Sequence, residues 1–377
     1  MQIKGKGKYR GLKNNYIGRV SINESTSDIL VSKKEIVGNP QLIICTENNY
    51  INLKQCANRF LLLKESVIKD FENGDILLVK PTGAYEILFK SNTHDNILFI
   101  TSRCNYNCIF CPQPPKKNND FRYFFELNKK IIDLIPQITE CIGITGGEPL
   151  LAGKYLFDTL QHLNEKQPNI EIQILTNGYL LSNPEYFNKI HKCIRSNYVF
   201  EIPLYSDYSS DHDEMVGKNN AFLNTLRGIY NLAAINARIE IRTVLNKNTL
   251  ERLPQFVRFI FNNLPFVEHV AFMGLEVIGN AKNNFSKIWD KNIDFNTPLT
   301  ESIKFLDRWG INVSIYNIPL CALSKELRKY AAKSISLWKR NYWNKCSDCK
   351  LKNNCGGFFN TSIFKIYKNK SIDISNN

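Results

Sequence analysis

The chain has 377 residues, 43% of them hydrophobic and 22% charged, with a formal net charge of +14. This length predicts two to three globular domains whose cores need no disulfide staples. The longest apolar runs, such as residues 60–63, are far shorter than a membrane span, and the basic N-terminus has no apolar signal segment, so we expect a cytoplasmic protein without a membrane partner.

Positive charge is concentrated in two parts of the sequence. Residues 325–370 contain 12 Lys and Arg against 2 acidic residues, and the first 19 residues contain six basic residues and no acid. A basic surface attracts nucleic acid, anionic lipid or an acidic peptide. A genome whose codons favour Lys and Asn would give the same bias, and both explanations stay open.

The first 95 residues show short β-like runs. "QLIICT", "DILLV" and "YEILF" are separated by the turn signals "NGD" and "PTGA". This pattern predicts a small β-rich N-terminal domain over residues 1–95.

From residue 96 onward, short apolar strands alternate with amphipathic helical segments. The predicted strands are "ILFITS", "IGITG", "IEIQILT", "VFEIPLY", "IEIRTVL" and "HVAFMGL". Six such alternations predict an α/β fold, a partial (β/α)6 TIM-like barrel with a parallel sheet, over residues 96–317. Residues 318–377 are rich in Lys and Cys and predict an appended C-terminal module.

Unusual residues follow each predicted strand, at the end where barrel enzymes place their functional groups. The first strand leads into Cys104, Cys108 and Cys111, the second ends in "TGGEP" and the third in "TNG". The fourth ends in "PLYSD", the fifth carries Arg242, and the sixth is followed by "MGLEVIGNA", which includes Gly279.

The spacing C-x3-C-x2-C needs a chemical reason. A structural zinc ion wants a fourth ligand, and the next cysteine is Cys141, on the second strand. Zinc and a disulfide are therefore less favoured alternatives. Three thiolates can instead hold three irons of a [4Fe–4S] cluster and leave the fourth iron without a protein ligand.

C-x3-C-x2-C followed by "GGEP" on successive strands resembles the radical S-adenosylmethionine (SAM) superfamily, over residues 96–281. The resemblance implies a [4Fe–4S] cluster on Cys104, Cys108 and Cys111, with the amino and carboxylate groups of SAM on the open iron. It also implies reductive cleavage of SAM to a 5′-deoxyadenosyl radical, which takes a hydrogen atom from a substrate.

The resemblance gives roles to further residues. The glycines of "GGEP" let the backbone approach SAM, Glu148 accepts from its ammonium, and Arg242 pairs its carboxylate or forms a surface salt bridge. Pro203 stands where many relatives have Ser, so Tyr205 and Ser206 are the candidates for the ribose contact. The predicted cofactor-binding residues are Gly146, Gly147, Glu148, Pro149, Asn177, Tyr205, Ser206, Arg242 and Gly279.

No residue is assigned as catalytic. The segment "SSDHDEMVG" contains Asp211, His212 and Asp213, for which we expect a helix N-cap role rather than catalysis.

A second cysteine group lies near the C-terminus. Cys346, Cys349 and Cys355 have the spacing C-x2-C-x5-C, and Cys321 lies upstream. This group resembles the SPASM and twitch extensions, which hold auxiliary [4Fe–4S] clusters, although "GGFF" follows where a full SPASM domain has a further cysteine. The four cysteines suffice for one fully ligated auxiliary cluster, and a zinc ion with four thiolate ligands is the alternative.

A finer resemblance is to the His-Xaa-Ser system radical SAM maturase family HxsC. It is carried by "CPQPP", "IGITGGEPLL", "EIPLYSDYSSDHD", "LPFVEHVAFMGLE", "NVSIYNIPLC" and "CGGFF". It implies a peptide maturase that acts on a separate polypeptide with His-Xaa-Ser repeats. The implied partners include companion maturation proteins and an electron donor such as flavodoxin or ferredoxin.

Two other functions stay open. One is a radical SAM enzyme that acts on a nucleic acid or a small molecule, which the basic charge permits. The other is a non-catalytic iron–sulfur or zinc protein that binds nucleic acid, which the presence of "GGEP" beside the cysteines disfavours.

Overall fold

A computed structural model describes residues 4–22, 29–31, 40–55, 57–290 and 292–367. The chain divides into two compact units. The first comprises the described residues within Met1–Phe99, Arg122–Gly143 and Asp158–Glu171, and the second those within Ile100–Phe121, Ile144–Phe157 and Ile172–Asn377.

The β-strands are β1 (Lys4–Lys6), β2 (Lys8–Arg10), β3 (Tyr16–Ile22), β4 (Ile29–Val31), β5 (Leu42–Cys45), β6 (Phe60–Leu62), β7 (Ile76–Val79), β8 (Ala84–Phe89), β9 (Ile97–Phe99), β10 (Cys141–Thr145), β11 (Glu171–Leu175), β12 (Tyr198–Pro203), β13 (Arg238–Val244), β14 (His269–Met273), β15 (Asn312–Tyr316), β16 (Arg340–Asn341) and β17 (Phe358–Phe359).

The α-helices are α1 (Glu47–Leu53), α2 (Glu65–Ile68), α3 (Phe121–Leu134), α4 (Lys154–Lys166), α5 (Pro184–His191), α6 (Ser209–Val216), α7 (Ala221–Ala234), α8 (Lys247–Glu251), α9 (Leu253–Asn263), α10 (Gly279–Asn283), α11 (Phe285–Ile288), α12 (Asn296–Arg308) and α13 (Ile363–Ile366). Short 3-10 helices span Pro149–Ala152, Tyr179–Ser182, Leu320–Ala322, Lys325–Tyr330, Asn344–Asp348 and Lys352–Asn354.

The first unit contains a mixed eight-stranded sheet with the order β1-β8-β7-β3-β4-β5-β6-β2. The neighbours from β3 to β6 are parallel, while β1, β8, β7 and β3 are joined by antiparallel pairings. The strand-forming runs "QLIICT" and "DILLV" contain β5 and β7, and "YEILF" covers all of β8 except its first residue, Ala84. All the residues of β5 and β7 are buried, since these strands are apolar throughout.

Most of the parallel sheet that the sequence predicts lies in the second unit. Strands β11 to β15 pair in parallel in sequence order. The ends of the first two predicted strands meet where the Ile100 N–H donates to the Thr145 carbonyl at 2.8 Å. The α/β parallel-sheet prediction is therefore confirmed. The strand β15 is a further parallel strand, and its short, half-polar sequence "NVSIY" explains why the hydrophobic pattern does not reveal it.

The two faces of β12–β15 differ in chemistry because side chains alternate along a strand. One face carries Ile202, Ile241, Phe272 and Ile315, which are fully buried. Helix α7 contacts β13 and helix α12 contacts β15, so helices cover apolar residues of this kind. Each such burial stabilises the fold by about 1.5–3 kcal/mol. The other face carries polar side chains.

The C-terminal segment of the second unit has little regular structure. Strands β16 and β17 form a two-stranded antiparallel ladder, with Arg340 opposite Phe359. The buried ring of Phe358 packs against Trp343 at 4.8 Å and Tyr367 at 5.3 Å between centroids. Throughout the described ranges, none of the helices has the length and apolar character needed to cross a membrane.

Candidate active site

Residues 100–120 form the cysteine loop, which carries Cys104, Cys108 and Cys111. Asp120 closes the loop on itself, because its carboxylate accepts from the Thr101 hydroxyl at 2.5 Å and from the Ser102 N–H at 2.9 Å. The Lys116 N–H donates to the Ser102 carbonyl at 2.8 Å. The loop contains prolines and has no regular secondary structure. These hydrogen bonds therefore hold its shape.

The three thiols of the cysteine loop are free and influence one another electrostatically. Burial raises the pKa of Cys104 to about 12, and the nearby charges of Glu148 and Cys111 act in the same direction. Burial, with the charges of Cys111 and Cys104, also raises the pKa of Cys108. The thiols are therefore protonated unless a bound cation replaces their protons, as metal ligation does. The Tyr106 N–H already donates to Cys104 Sγ at 3.4 Å.

The glycines of "GGEP" lie directly against the cysteine loop. A Cβ on Gly146 would lie 2.5 Å from the Thr101 carbonyl oxygen, and one on Gly147 would lie 2.2 Å from the Arg103 carbonyl oxygen. The Gly147 N–H donates to Thr101 O at 2.7 Å, and the Glu148 N–H donates to Arg103 O at 2.8 Å. Close backbone packing thus requires both glycines, and their contact with SAM stays a prediction.

The side chain of Glu148 is fully buried and joins two strand ends. Its Oε1 accepts from the Leu150 N–H at 2.9 Å and the Thr176 hydroxyl at 2.7 Å, and its Oε2 accepts from the Asn177 N–H at 2.7 Å. Burial raises the pKa of Glu148 to about 7, although the three hydrogen-bond donors act to lower it. The predicted bond to the SAM ammonium stays a prediction, and the structure gives the carboxylate an internal role. Pro149 begins the 3-10 helix that follows.

Asn177 lies beside the first cysteine. Its Nδ2 donates to Asn105 Oδ1 at 2.8 Å and lies 4.0 Å from Cys104 Sγ. Its carbonyl accepts from the Thr225 hydroxyl at 2.9 Å, and that hydroxyl is 3.1 Å from the Tyr106 hydroxyl. The structure therefore brings Asn177 together with the cysteine loop, as the order of strand ends predicts.

Tyr205 and Ser206 point to different surroundings. The Tyr205 ring meets the Phe110 ring edge-on, with 4.8 Å between centroids. Burial raises the pKa of Tyr205, as do the charges of Cys108 and Cys111, so its hydroxyl lies within electrostatic range of the cysteines. The Ser206 hydroxyl accepts from the Tyr208 N–H at 3.0 Å and therefore stabilises the turn in which it lies.

The N-cap prediction for the "SDHD" segment is wrong for His212. The residue preceding α6 is Tyr208, and His212 lies inside the helix, fully buried and stacked on the Tyr205 ring. Burial lowers the pKa of His212 to about 4. Its Nδ1 accepts from the Tyr205 N–H at 3.4 Å. Asp213 accepts instead from the Phe222 N–H near the start of α7, at 2.8 Å.

Gly279 also contacts the cysteine loop. It has φ +56°, and a Cβ there would lie 2.6 Å from the carbonyl oxygens of Cys111 and Pro112. The next residue, Asn280, donates its N–H to Cys111 O at 2.9 Å and its Nδ2 to Cys108 O at 2.9 Å. Asn284 Nδ2 donates to Ile109 O at 2.8 Å.

Asn280 and Asn284 form an asparagine clamp on the cysteine loop that the sequence analysis missed. Their only sequence signal is the spacing of four residues in "GNAKNN", which places two amides on one side of a helical turn. The end of α6 supports the same loop, because the Asn107 and Ile109 N–H groups donate to Val216 O and Met215 O, each at 2.9 Å.

Arg242 lies between two carboxylates on the polar face of the sheet. Its Nη2 is 2.6 Å from Glu201 Oε1, and its Nε is 2.5 Å from Glu240 Oε1. Its guanidinium also lies over the Tyr316 ring, 5.7 Å from the centroid. Pairing with the SAM carboxylate stays a prediction, and it would require Arg242 to share its charge with a third acid.

The second cysteine group is also brought together. Burial raises the pKa of Cys321 to about 12, and the charges of Cys355, Cys346 and Cys349 contribute. Cys346 and Cys355 are buried, and Cys355 Sγ accepts from the backbone N–H of two residues, Leu320 and Gly357, each at 3.4 Å. Such N–H donors to sulfur tune iron–sulfur clusters.

Within the part of the chain that the structure describes, no three His, Cys, Asp or Glu side chains have the arrangement of a metal site. In a [4Fe–4S] cluster each cysteine binds a different iron.

Residues 98–260 match the family model of the Radical SAM superfamily. This segment contains the three cysteines of the cysteine loop, "GGEP", Asn177, Tyr205 and Arg242. Residues 98–260 of the chain are therefore similar to a radical SAM domain.

Individual relatives resemble part of the chain. An uncharacterised protein of Methanocaldococcus jannaschii is 32% identical over 171 residues, which cover 44% of this chain and 57% of that protein. GTP 3′,8-cyclase of Helicobacter pylori is 26% identical over 180 residues, 46% of this chain and 54% of the cyclase. The chain thus spans little more than half the length of these relatives.

Among solved structures, SuiB of Streptococcus suis bound to S-adenosylmethionine aligns with 60% of this chain and 50% of its own, at 15% identity and a TM-score of 0.47. Similarity at this level does not bear on the substrate.

Proposed function

We propose that the chain is a radical SAM enzyme that holds a [4Fe–4S] cluster on Cys104, Cys108 and Cys111 and modifies a separate peptide. The observation that carries the cluster assignment is the cysteine loop itself, in which three interacting thiols are held from two sides by "GGEP" and the asparagine clamp. Bound there, the cluster would supply the electron for reductive cleavage of SAM to a 5′-deoxyadenosyl radical.

The chain's own residues would prepare this site. Asn177 lies beside Cys104, Tyr205 lies within electrostatic range of the cysteines, and both would contact a ligand beside the cluster. Burial of the surrounding side chains excludes water, which protects a reactive radical from side reactions. Glu148 keeps the second and third strand ends in register around the site.

We propose that Cys321, Cys346, Cys349 and Cys355 hold an auxiliary [4Fe–4S] cluster. Four buried or half-buried thiols with backbone donors to sulfur support this assignment. The C-x2-C-x5-C spacing supports it as well. A zinc ion would bind the same four thiolates, and anaerobic reconstitution with iron and zinc in competition separates the two.

The peptide substrate rests on the resemblance to the HxsC family and on the charge of the C-terminal segment. Lys333, Lys345, Lys350 and Lys352 are exposed there. Such a surface favours an acidic segment of a polypeptide, and its attraction is screened over about 8 Å at physiological ionic strength. A His-Xaa-Ser repeat protein is the proposed target, with companion maturation proteins and a flavodoxin or ferredoxin as further partners.

Two measurements test this function. With SAM and a reductant, the reconstituted wild type should form 5′-deoxyadenosine, and Cys104→Ala should not. Addition of a His-Xaa-Ser repeat peptide should then give a peptide mass change that requires SAM. Formation of 5′-deoxyadenosine without any peptide mass change would reject the peptide substrate and keep the enzyme class.

A second candidate substrate is a nucleotide, because several similar proteins are GTP 3′,8-cyclases. Incubation with GTP in place of the peptide tests it. Consumption of GTP coupled to 5′-deoxyadenosine formation would favour this alternative. Tight binding of random RNA that weakens with salt, without peptide binding, would favour a nucleic-acid substrate.

A further inference from the structure

The polar face of β12–β15 carries a connected set of polar groups, of which only Arg242 has a predicted role at the cluster site. These polar-face residues are Glu201, Glu240, Arg242, His269 and Ser314. Strand pairing explains their proximity, since Glu240 is opposite both Glu201 and His269 in the parallel ladders. Two buried carboxylates are unusual on strands whose opposite face carries four fully buried apolar residues.

Three of these residues form a continuous line of hydrogen-bonding atoms. Ser314 Oγ is 2.9 Å from His269 Nε2, and His269 Nδ1 is 2.5 Å from Glu240 Oε2. This is the order hydroxyl, imidazole, carboxylate in which a carboxylate fixes the imidazole tautomer and the imidazole accepts the hydroxyl proton. The three residues lie on three adjacent strands, so the sheet itself fixes their spacing.

Arg242 holds the carboxylate end of the line. Its guanidinium bonds Glu240 Oε1 and Glu201 Oε1, leaving Glu240 Oε2 for His269. Burial acts to raise the pKa of Glu240, but the His269 hydrogen bond and the Arg242 charge hold it below its usual value. Glu240 is therefore an anion across the neutral pH range, as an imidazole-orienting group must be.

The hydroxyl end of the line is accessible. Ser314 is half-buried, and 19% of the His269 side-chain surface is exposed to solvent. A network that served only stability would gain little from this position, because replacing buried ion pairs by apolar residues is often neutral or stabilising. Accessible polar groups beside an ordered imidazole are instead typical of sites that move a proton.

We propose that Glu240, His269 and Ser314 form a proton relay that accepts a proton from a hydroxyl or thiol of the substrate. This inference rests on the proposed function, since the group that loses the proton belongs to the substrate of that reaction. The substrate X–H gives its proton to Ser314 Oγ as Ser314 gives its own proton to His269 Nε2. The substrate heteroatom keeps the electron pair, the imidazolium is paired with Glu240, and no electron is transferred.

The charge of the polar-face residues limits the substrate group. Two carboxylates and one guanidinium leave a formal charge of −1 when His269 is neutral. The site therefore takes a neutral or cationic group and repels an anionic one. Other charged or titratable groups near the line are Glu268, whose charge interacts with His269, and Tyr316, which hydrogen-bonds the Ser314 side chain and whose ring lies 6.2 Å from that of His269.

The test is the reactivity of Ser314 toward a neutral alkyl fluorophosphonate, followed by mass spectrometry of the labelled peptide. It needs neither SAM nor a cluster, so failure of the proposed function would leave its result intact. Ser314 should react at least about 100-fold faster than the exposed Ser347, which is the usual scale of base assistance. A probe with a carboxylate tail should react more slowly than the neutral probe.

Variants identify the relay. His269→Gln should abolish the rapid labelling and Glu240→Gln should reduce it at least about tenfold. His162→Gln should not change it, because His162 pairs with Asp133 in the first unit. Added imidazole should restore labelling in His269→Gly, which a purely structural role would not allow. Labelling of Ser314 no faster than that of Ser347, or unchanged in His269→Gln, would overturn the proposal.

Discussion

Single residues at the site act mainly by fixing the backbone. Glu148 and Gly147 are adjacent, yet their roles differ in kind. The Glu148 carboxylate ties together three backbone or hydroxyl donors, each worth about 1.5–3 kcal/mol when the acceptor is charged. Gly147 contributes by having no side chain, since the Arg103 carbonyl occupies the space where a Cβ would lie.

The close approach at Gly147 gives the first prediction. In Gly147→Ala, the new Cβ would overlap the Arg103 carbonyl oxygen, so the cysteine loop must move away from the "GGEP" segment. The substitution should therefore destabilise the second unit by about 1–3 kcal/mol. It should also lower the iron bound by Cys104, Cys108 and Cys111. The measurements are thermal unfolding and iron analysis after anaerobic reconstitution. The control for backbone strain alone is Gly153→Ala, because φ is +52° there but no atom lies within 4 Å of an added Cβ. Equal iron content in the two variants would contradict the packing role.

His212 gives a prediction on pH and stability. Burial lowers the pKa of His212 from 6.5 to about 4. Between these values the unfolded chain binds a proton that the folded chain does not, so stability is full above pH 6.5 and falls as the pH falls toward 4. A shift of this size corresponds to about 3 kcal/mol.

The measurement is denaturant unfolding between pH 7 and 4.5, followed by tryptophan fluorescence, in wild type and His212→Phe at equal iron loading. All four tryptophans lie in the second unit, so the signal reports on it. The variant should lose about one proton from the pH dependence. An unchanged slope would show that other groups cause the acid sensitivity.

At the scale of elements, the cysteine loop depends on three separate segments of the second unit. The "GGEP" segment, the end of α6 and the asparagine clamp each bond its backbone. An irregular loop has no ladder of its own, so its polar groups must find partners elsewhere. These contacts explain how a loop with prolines keeps three thiols in one place.

The asparagine clamp gives the third prediction. Asn284→Ala removes the donor to the Ile109 carbonyl and should cost about 1 kcal/mol of local stability. The reconstituted cluster should then be lost faster in air, measured by the decay of its visible absorbance. The matched control is Asn283→Ala, an exposed neighbour on the same turn. Identical decay in both variants would exclude a role for the clamp.

The elements show which part of the molecule the sequence could predict. Strands β11 to β14 and the cysteine-bearing loop follow from apolar periodicity and from spacing, which are local properties. The clamp, the bonds of Glu148 and the Ser314–His269–Glu240 line depend on contacts between residues 28 to 175 positions apart. Single polar residues at such separations leave no periodic signal, so only the assembled sheet reveals them.

Considered as a whole, the molecule has two cysteine groups in its second unit and a sheet of different topology in its first. The two groups differ in ligand number, because the cysteine loop offers three thiols and the C-terminal group four. Three thiols leave one iron for a small ligand, while four complete the coordination of a cluster.

Iron content therefore gives the fourth prediction. Anaerobic reconstitution should give about eight irons per chain for two clusters, and simultaneous replacement of Cys104, Cys108 and Cys111 by Ala should leave about four. SAM should change the electron paramagnetic resonance signal of the reduced wild type but not that of the triple variant. About four irons in the wild type, all lost in the triple variant, would reject the auxiliary cluster and favour zinc there.

The backbone bonds from Gly147 and Glu148 to Thr101 and Arg103 also set an order of assembly. The cysteine loop acquires its shape only when the ends of the first two strands have docked, because its partners lie more than 40 positions along the chain. Insertion of the proposed iron–sulfur cluster at Cys104, Cys108 and Cys111 would thus follow sheet formation, in contrast to zinc fingers, whose metal drives folding. Newly synthesised chains would consequently pass through a stage with a formed sheet and three oxidisable, metal-free thiols.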